Sequence, residues 1–131
     1  HFKLINDEFG HVIGDAVLFN LARVIEAVLS EQAVECTFGR YGGEEFLIIL
    51  PETTDAQAFT ICDRIRLTAQ DHIYNYRGRK LQVAVSIGIA SKPAEASILM
   101  NLLISEADRC LYIAKETGRN RTEIKRQDRK H

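Results

Sequence analysis

No apolar run in this chain of 131 residues approaches the ~20 residues of a membrane-spanning helix. The N-terminus also lacks a signal-peptide layout. Charge of one sign is missing too: 17 Lys and Arg stand against 18 Asp and Glu, a net charge of −1. Bulk electrostatics therefore make no case for a nucleic-acid or membrane-surface binder, and any phosphate binding must come from local clusters. Cysteine is scarce. Cys36, Cys62 and Cys110 are odd in number and contain no C-x-x-C pair, which excludes a paired disulfide framework and a zinc site of that type. The pattern reads as reduced and intracellular, so the expected location of this domain is the cytoplasm, while a larger parent protein can still be membrane-anchored. No repeat, low-complexity tract or interdomain linker interrupts the chain, and no initiator Met opens it. What remains, 46% hydrophobic and 27% charged residues, is the balance of one soluble globular domain spanning 1–131.

Hydrophobic spacing supplies the elements. Leu18, Leu21, Ala22, Ile25, Val28 and Leu29 recur at helical spacing within Ala16 to Ser30. Strand signals cover Val34 to Arg40 and Glu45 to Leu50. The run Phe46-Leu47-Ile48-Ile49-Leu50 is apolar on both faces, as in a strand covered on both sides, and Pro51 ends it. Thr54-Asp55-Ala56-Gln57 resembles a capping box opening a helix that buries Ala58, Ile61, Cys62 and Ile65. Arg77-Gly78-Arg79 reads as a turn. Leu81, Val83, Val85, Ile87 and Ile89 alternate with small or polar residues, predicting a ten-residue strand packed under a helix. Ser97 to Thr117 reads as a helix with Leu103, Ala107, Leu111 and Ala114 on one face, Gly118 as its stop and a short Thr122-Glu123-Ile124 strand after it. Cys62 and Cys110 fall on core positions. The fold class is α+β, with an antiparallel hairpin at its centre.

That hairpin centres on Arg40-Tyr41-Gly42-Gly43-Glu44-Glu45-Phe46. Gly-Gly between two extended runs permits the positive φ of a tight turn. Glu44 and Glu45 follow at once, and adjacent hard oxygen donors suit Mg²⁺, which takes one or two carboxylates and leaves its other positions to water and phosphate. The same stretch also reads as a solvated, Gly-rich turn. Upstream, Asn6 to Asp15 is a polar loop. Asp15 stands where the first helix begins, so it suits a helix cap as well as a ligand contact, and Asn6 suits a turn former as well as a ligand contact. Lys115 and Arg119 lie four apart at the end of the last helix, on one side. They suit phosphate binding, and equally the ordinary placement of cations at a helix C-terminus. Lys3 precedes the polar loop and says nothing alone.

Taken together, four blocks closely resemble one family. They are His1 to Asp15 (HFKLINDEFGHVIGD), Arg40 to Phe46, Val85 to Ala90 (VSIGIA) and Ala107 to Arg121 (ADRCLYIAKETGRNR). In this order they resemble the GGDEF domain of diguanylate cyclases, here with GGEEF. The resemblance implies a fold like the palm of nucleotidyl cyclases and polymerases. It implies condensation of two GTP into cyclic di-GMP, with release of two pyrophosphates, across a homodimer interface with a second GGDEF domain. It further implies that Asn6 and Asp15 bond the guanine edge, that His11 lines the same pocket, and that Lys3, Lys115 and Arg119 hold phosphates, Lys3 also stabilising developing charge. Glu44 would bind Mg²⁺ or Mn²⁺, and Glu45 would bind metal or accept the 3′-hydroxyl proton. The expected partners are GTP, the second domain and an upstream sensory or dimerisation domain, with no nucleic acid and no membrane contact by this domain.

Two departures from the family pattern shape the expectations. The family has a strand ending in Asp-x-Asp just before the position of His1, and its first Asp is a metal ligand. The resemblance thus implies an N-terminally incomplete domain, lacking about 30 residues of helix and strand, comparable to one βα unit. On that expectation, these residues alone are catalytically dead or nearly so. Second, the family's product-inhibition site, Arg-x-x-Asp, falls on Ala33-Val34-Glu35-Cys36, where neither charge is present. Arg64 falls where a secondary product contact occurs, and reads equally as a solvated helix residue. The alternative function is a non-catalytic GGDEF-like module that binds GTP or a protein partner.

Overall fold

The computed structural model describes residues 7, 8, 10–32, 34–92 and 100–125. In chain order the elements are α1 (His11–Glu31), β1 (Thr37–Gly42), β2 (Glu45–Ile49), α2 (Asp55–Asp71), β3 (Tyr74–Tyr76), β4 (Arg79–Leu81), β5 (Ile87–Ile89), α3 (Met100–Glu116) and β6 (Thr122–Ile124). This is an α+β architecture. Its strands form three two-stranded ladders: β1–β2 and β3–β4 antiparallel, β5–β6 parallel.

The core forms where α1 and α2 cross. Val17, Leu21, Ile25, Val28 and Leu29 of α1 meet Ile61, Ile65 and Ala69 of α2, with Tyr74 and Val83 closing one end. Each fully buried aliphatic side chain here, Leu21, Ile65 and Val17, contributes about 1.5–3 kcal/mol through loss of water-exposed apolar surface. Helix α2 starts as its sequence suggests. The Thr54 hydroxyl accepts from the Gln57 amide at 3.2 Å and the Gln57 side chain accepts from the Thr54 amide at 3.0 Å, the reciprocal capping box. Tyr76 fastens the β3–β4 hairpin to α1: its hydroxyl donates to the Ala16 carbonyl at 2.8 Å and accepts from Asn20.

Several sequence expectations need correction. Helix α1 begins at His11, five residues earlier than expected, with Gly10 at the N-cap and no side-chain cap. Strand β2 is half-buried along its whole length. Phe46 and Ile48 pack on the helical core while Leu47 and Ile49 face away from it, so its apolar character on both faces does not correspond to a fully covered strand. Among the described residues, only Leu81 and Ile87–Ile89 of the expected ten-residue strand are paired. Alternation there reports which side faces the core, since Val83, Val85 and Ile87 all reach the helical cluster, and it does not report whether the backbone has a ladder partner. Arg77 and Gly78 both take positive φ, 52° and 79°, the geometry of a two-residue hairpin loop, so the turn joins two short strands the pattern did not reveal.

Candidate active site

The β1–β2 hairpin presents the paired carboxylates. Gly42 pairs with Glu45, leaving Gly43 and Glu44 as the loop, and the register shifts between Arg40 and Gly42. Only Gly43 uses positive φ, 52°. Arg40 Nε donates to the Gly43 carbonyl at 2.6 Å and ties the loop back onto β1. Below the tip, Phe38 and Phe46 stack with ring centroids 5.5 Å apart, a diagonal cross-strand pair that fixes the hairpin's twist. Glu44 is exposed and Glu45 half-buried, adjacent at the turn. Neither carboxylate has a hydrogen bond or ion pair among the described residues. Two free hard-oxygen donors at a fixed turn fit a Mg²⁺ or Mn²⁺ ion that keeps water and phosphate in its other positions. Among the described residues no group of three or more His, Cys, Asp or Glu side chains converges as a metal site.

The other expected residues sit on α1 and at the end of α3. His11 opens α1 and Asp15 lies one helical turn further on, both exposed and without a partner among the described residues. Asp15 is too far inside the helix to cap it, so the capping alternative fails and its carboxylate remains available. Lys3, Asn6 and Ala33 lie outside the described residues. Lys115 is half-buried in the last turn of α3 and Arg119 is exposed just beyond it. Neither side chain is bonded to another described residue, so both cations are open to an anion. No hydrogen bond or ion pair among the described residues links them to the hairpin tip. Arg64, on α2, is exposed and lies 3.7 Å from Glu31, an ordinary surface pair.

The backbone that carries Arg119 is unusual. The Arg119 amide donates to the Ala114 carbonyl at 2.8 Å, a bond spanning the helix end with Gly118 at φ 135°, in the manner of a Schellman stop. Arg119 and Asn120 then also take positive φ, 60° and 45°. Non-glycine residues held there cost about 1–3 kcal/mol each and persist only where surroundings over-determine them. The surroundings are a polar network that the sequence reading missed. Arg66 of α2 donates to both Asp63 oxygens, at 2.7 and 3.3 Å. It also donates to the Asn120 carbonyl and side-chain oxygen, at 3.3 and 3.2 Å. Asn120 in turn donates to Gln70 at 2.7 Å through its side chain and to Ser86 at 3.1 Å through its amide. Thr122 donates to Asp63 at 3.2 Å. The hydrogen bond from Arg66 holds the Asp63 carboxyl below its ordinary range. No local pattern announces this network, because Arg66 and Asn120 are 54 residues apart. Asn120 in the left-handed region beside Gly118 is the one signal that points to it.

Adjacent carboxylates on a tight hairpin, and cations at a helix end with no partner among the described residues, are chemically suited to a divalent cation and to phosphate oxygens. The chain belongs to the diguanylate cyclase GGDEF domain family, whose model matches residues 1–121. It is 35% identical over 127 residues to diguanylate cyclase A of Treponema denticola, covering 97% of this chain and 33% of that protein. It is 40% identical over 121 residues to the response regulator PleD of Caulobacter vibrioides, covering 91% of this chain and 26% of that protein. The chain thus spans a third or less of these relatives. Among solved structures, the active GGEEF domain of a diguanylate cyclase from Vibrio cholerae superposes with a TM-score of 0.82 at 36% identity, covering 98% of this chain and 78% of that one. The fold is accordingly the palm type of the nucleotidyl cyclases.

Proposed function

We propose that this domain condenses two GTP molecules into cyclic di-GMP. In each half-reaction a 3′-hydroxyl oxygen attacks the α-phosphorus of the GTP held by the facing domain, pyrophosphate leaves, and the hydroxyl proton is lost. The observation that carries the reading is the pair Glu44 and Glu45, fixed at the hairpin tip with both carboxylates free. Mg²⁺ or Mn²⁺ bound there supplies charge neutralisation to the phosphates and the leaving pyrophosphate. Glu44 holds the metal, and Glu45 holds metal or accepts the 3′-hydroxyl proton. Lys115 and Arg119 hold phosphate oxygens, with Lys3 beside the reacting phosphate. Asp15 and Asn6 match the N–H donors and acceptor of guanine, and His11 lines the same pocket. The reaction needs two GTP-loaded domains face to face, so the working unit is a homodimer, brought together by an upstream sensory or dimerisation domain in the cytoplasm.

The test is incubation of the full-length protein with GTP and Mg²⁺, followed by chromatography of the products. Cyclic di-GMP from the native protein is expected. ATP turnover with no cyclic di-GMP would refute the reading.

A further inference from the structure

We infer that Asp63 and Arg66 are positioning residues for nucleotide binding: their clamp on Asn120 holds Arg119 in the left-handed conformation that aims its guanidinium at GTP phosphate. The inference rests on the phosphate role proposed for Arg119. The turn after α3 stacks three successive positive-φ residues, Gly118, Arg119 and Asn120, of which only the first is glycine. The Arg66 guanidinium has one edge on Asp63, at 2.7 and 3.3 Å, and turns Nη1 to both oxygens of Asn120, at 3.2 and 3.3 Å. Its side chain is only 17% exposed, so these bonds are shielded from competing water. Arg119 itself touches none of this: its side chain is free, and the network grips the residue next to it. On the same, C-terminal side, Arg121 Nε donates to the Arg119 carbonyl at 3.2 Å. With its own amide bonded back to the Ala114 carbonyl at 2.8 Å, the backbone of Arg119 is fixed on both flanks while its side chain is left for a ligand, which is how binding groups are pre-organised at low entropic cost.

A lysine at position 66 keeps the charge but cannot fork between a carboxylate and a second residue. The experiment is a double-mutant cycle on the full-length protein, reading GTP affinity by titration with Mg²⁺ and the split between KM and kcat. Arg119→Ala is expected to weaken GTP binding about 10-fold, the scale of one charge-assisted hydrogen bond. Arg66→Ala should weaken it comparably, and Arg66→Lys should fail to restore it. The double variant Arg66→Ala/Arg119→Ala should be no weaker than Arg119→Ala alone, because a clamp has nothing left to aim once the guanidinium is gone. Should Arg66→Ala not fold, the cycle is run with Arg66→Lys, and non-additivity is expected there too. Where Arg119→Ala is impaired, intact binding in the Arg66 variants, or losses that simply add, would overturn the positioning role alone. Unchanged binding in Arg119→Ala would overturn the phosphate role of Arg119 and the positioning role with it.

Discussion

Replacing Gly88 by alanine adds one methyl group where strand β5 passes beneath helix α3. Gly88 has no positive φ to protect, so the residue is glycine for space. A Cβ built on it meets the Ala107 carbonyl oxygen and the Leu111 amide nitrogen, and lies 2.8 Å from the Leu111 Cα. All three are backbone atoms of the helix, so no side-chain rotation relieves the contact. To reach ordinary van der Waals separation, α3 must retreat by about 1 Å, since non-bonded carbon atoms pack at about 3.5–4.0 Å. Overpacking of this kind costs about 1–3 kcal/mol, partly offset by about 0.4–1 kcal/mol from the stiffer unfolded chain. A loss of about 1–2 kcal/mol is expected, read as a lower urea midpoint at unchanged slope. The same displacement shifts Lys115 at the end of α3 and the turn that carries Arg119, and small misplacements of positioned groups cost up to about 100-fold in rate. Cyclase activity should therefore fall by more than the folded fraction explains. A variant with native midpoint and native turnover would refute both the packing argument and the placement of the phosphate-binding cations on α3.

Three further outcomes are expected. Glu44→Gln and Glu45→Gln should each lower cyclase activity by about 10²–10⁴-fold with melting unchanged, because a carboxamide keeps the size and loses the anionic donor; a fully active variant at either position removes its assigned role. Added cyclic di-GMP should inhibit initial rates only weakly, since Cys36 supplies no carboxylate and Ala33 no guanidinium; submicromolar inhibition would mean another inhibitory site. Finally, burial pushes the Cys62 thiol from 9.0 up to about 12 and the Tyr74 hydroxyl from 10.0 up to about 12. Both stay protonated in the fold while their unfolded counterparts ionise, so their contribution is intact below about pH 9 and drains away as pH rises toward 12. Urea midpoints measured across that range should fall steadily in the native protein and less in Cys62→Ala; identical slopes would contradict a buried neutral thiol.

What the sequence revealed, and what it hid, follows the range of the forces involved. Helix α2 was legible because its start signal and its apolar stripe lie within a few residues of one another, and Thr54, Gln57, Ala58, Ile61 and Ile65 do what their spacing implies. The hairpin was legible for the same reason, although only one glycine of the pair supplies the unusual φ and Arg40 supplies a clasp that no turn rule contains. The alternating stretch from Leu81 to Ile89 was legible as burial, since Val83, Val85 and Ile87 reach the helical cluster, while among the described residues only its two ends show a ladder partner. Asp15 was ambiguous because a helix start is uncertain by a few residues, and four residues separate a cap from a free carboxylate.

The two loops proposed to carry the chemistry are therefore stiffened in different ways. The hairpin tip is held by residues within three positions of itself, Arg40 on Gly43, with Phe38 on Phe46 beneath. The turn after α3 is held from another helix, across more than fifty residues of chain. A locally braced loop keeps its shape as long as its own strands pair. A remotely braced one keeps its shape only while Arg66 of α2 stays in reach of Asn120. On the proposed phosphate role of Arg119, nucleotide affinity should respond to changes at Arg66 and Gly88, neither of which needs to touch substrate. Substitutions where α2 and α3 pack on the β5–β6 pair should change GTP binding before they change folding, whereas substitutions under the hairpin should change both together.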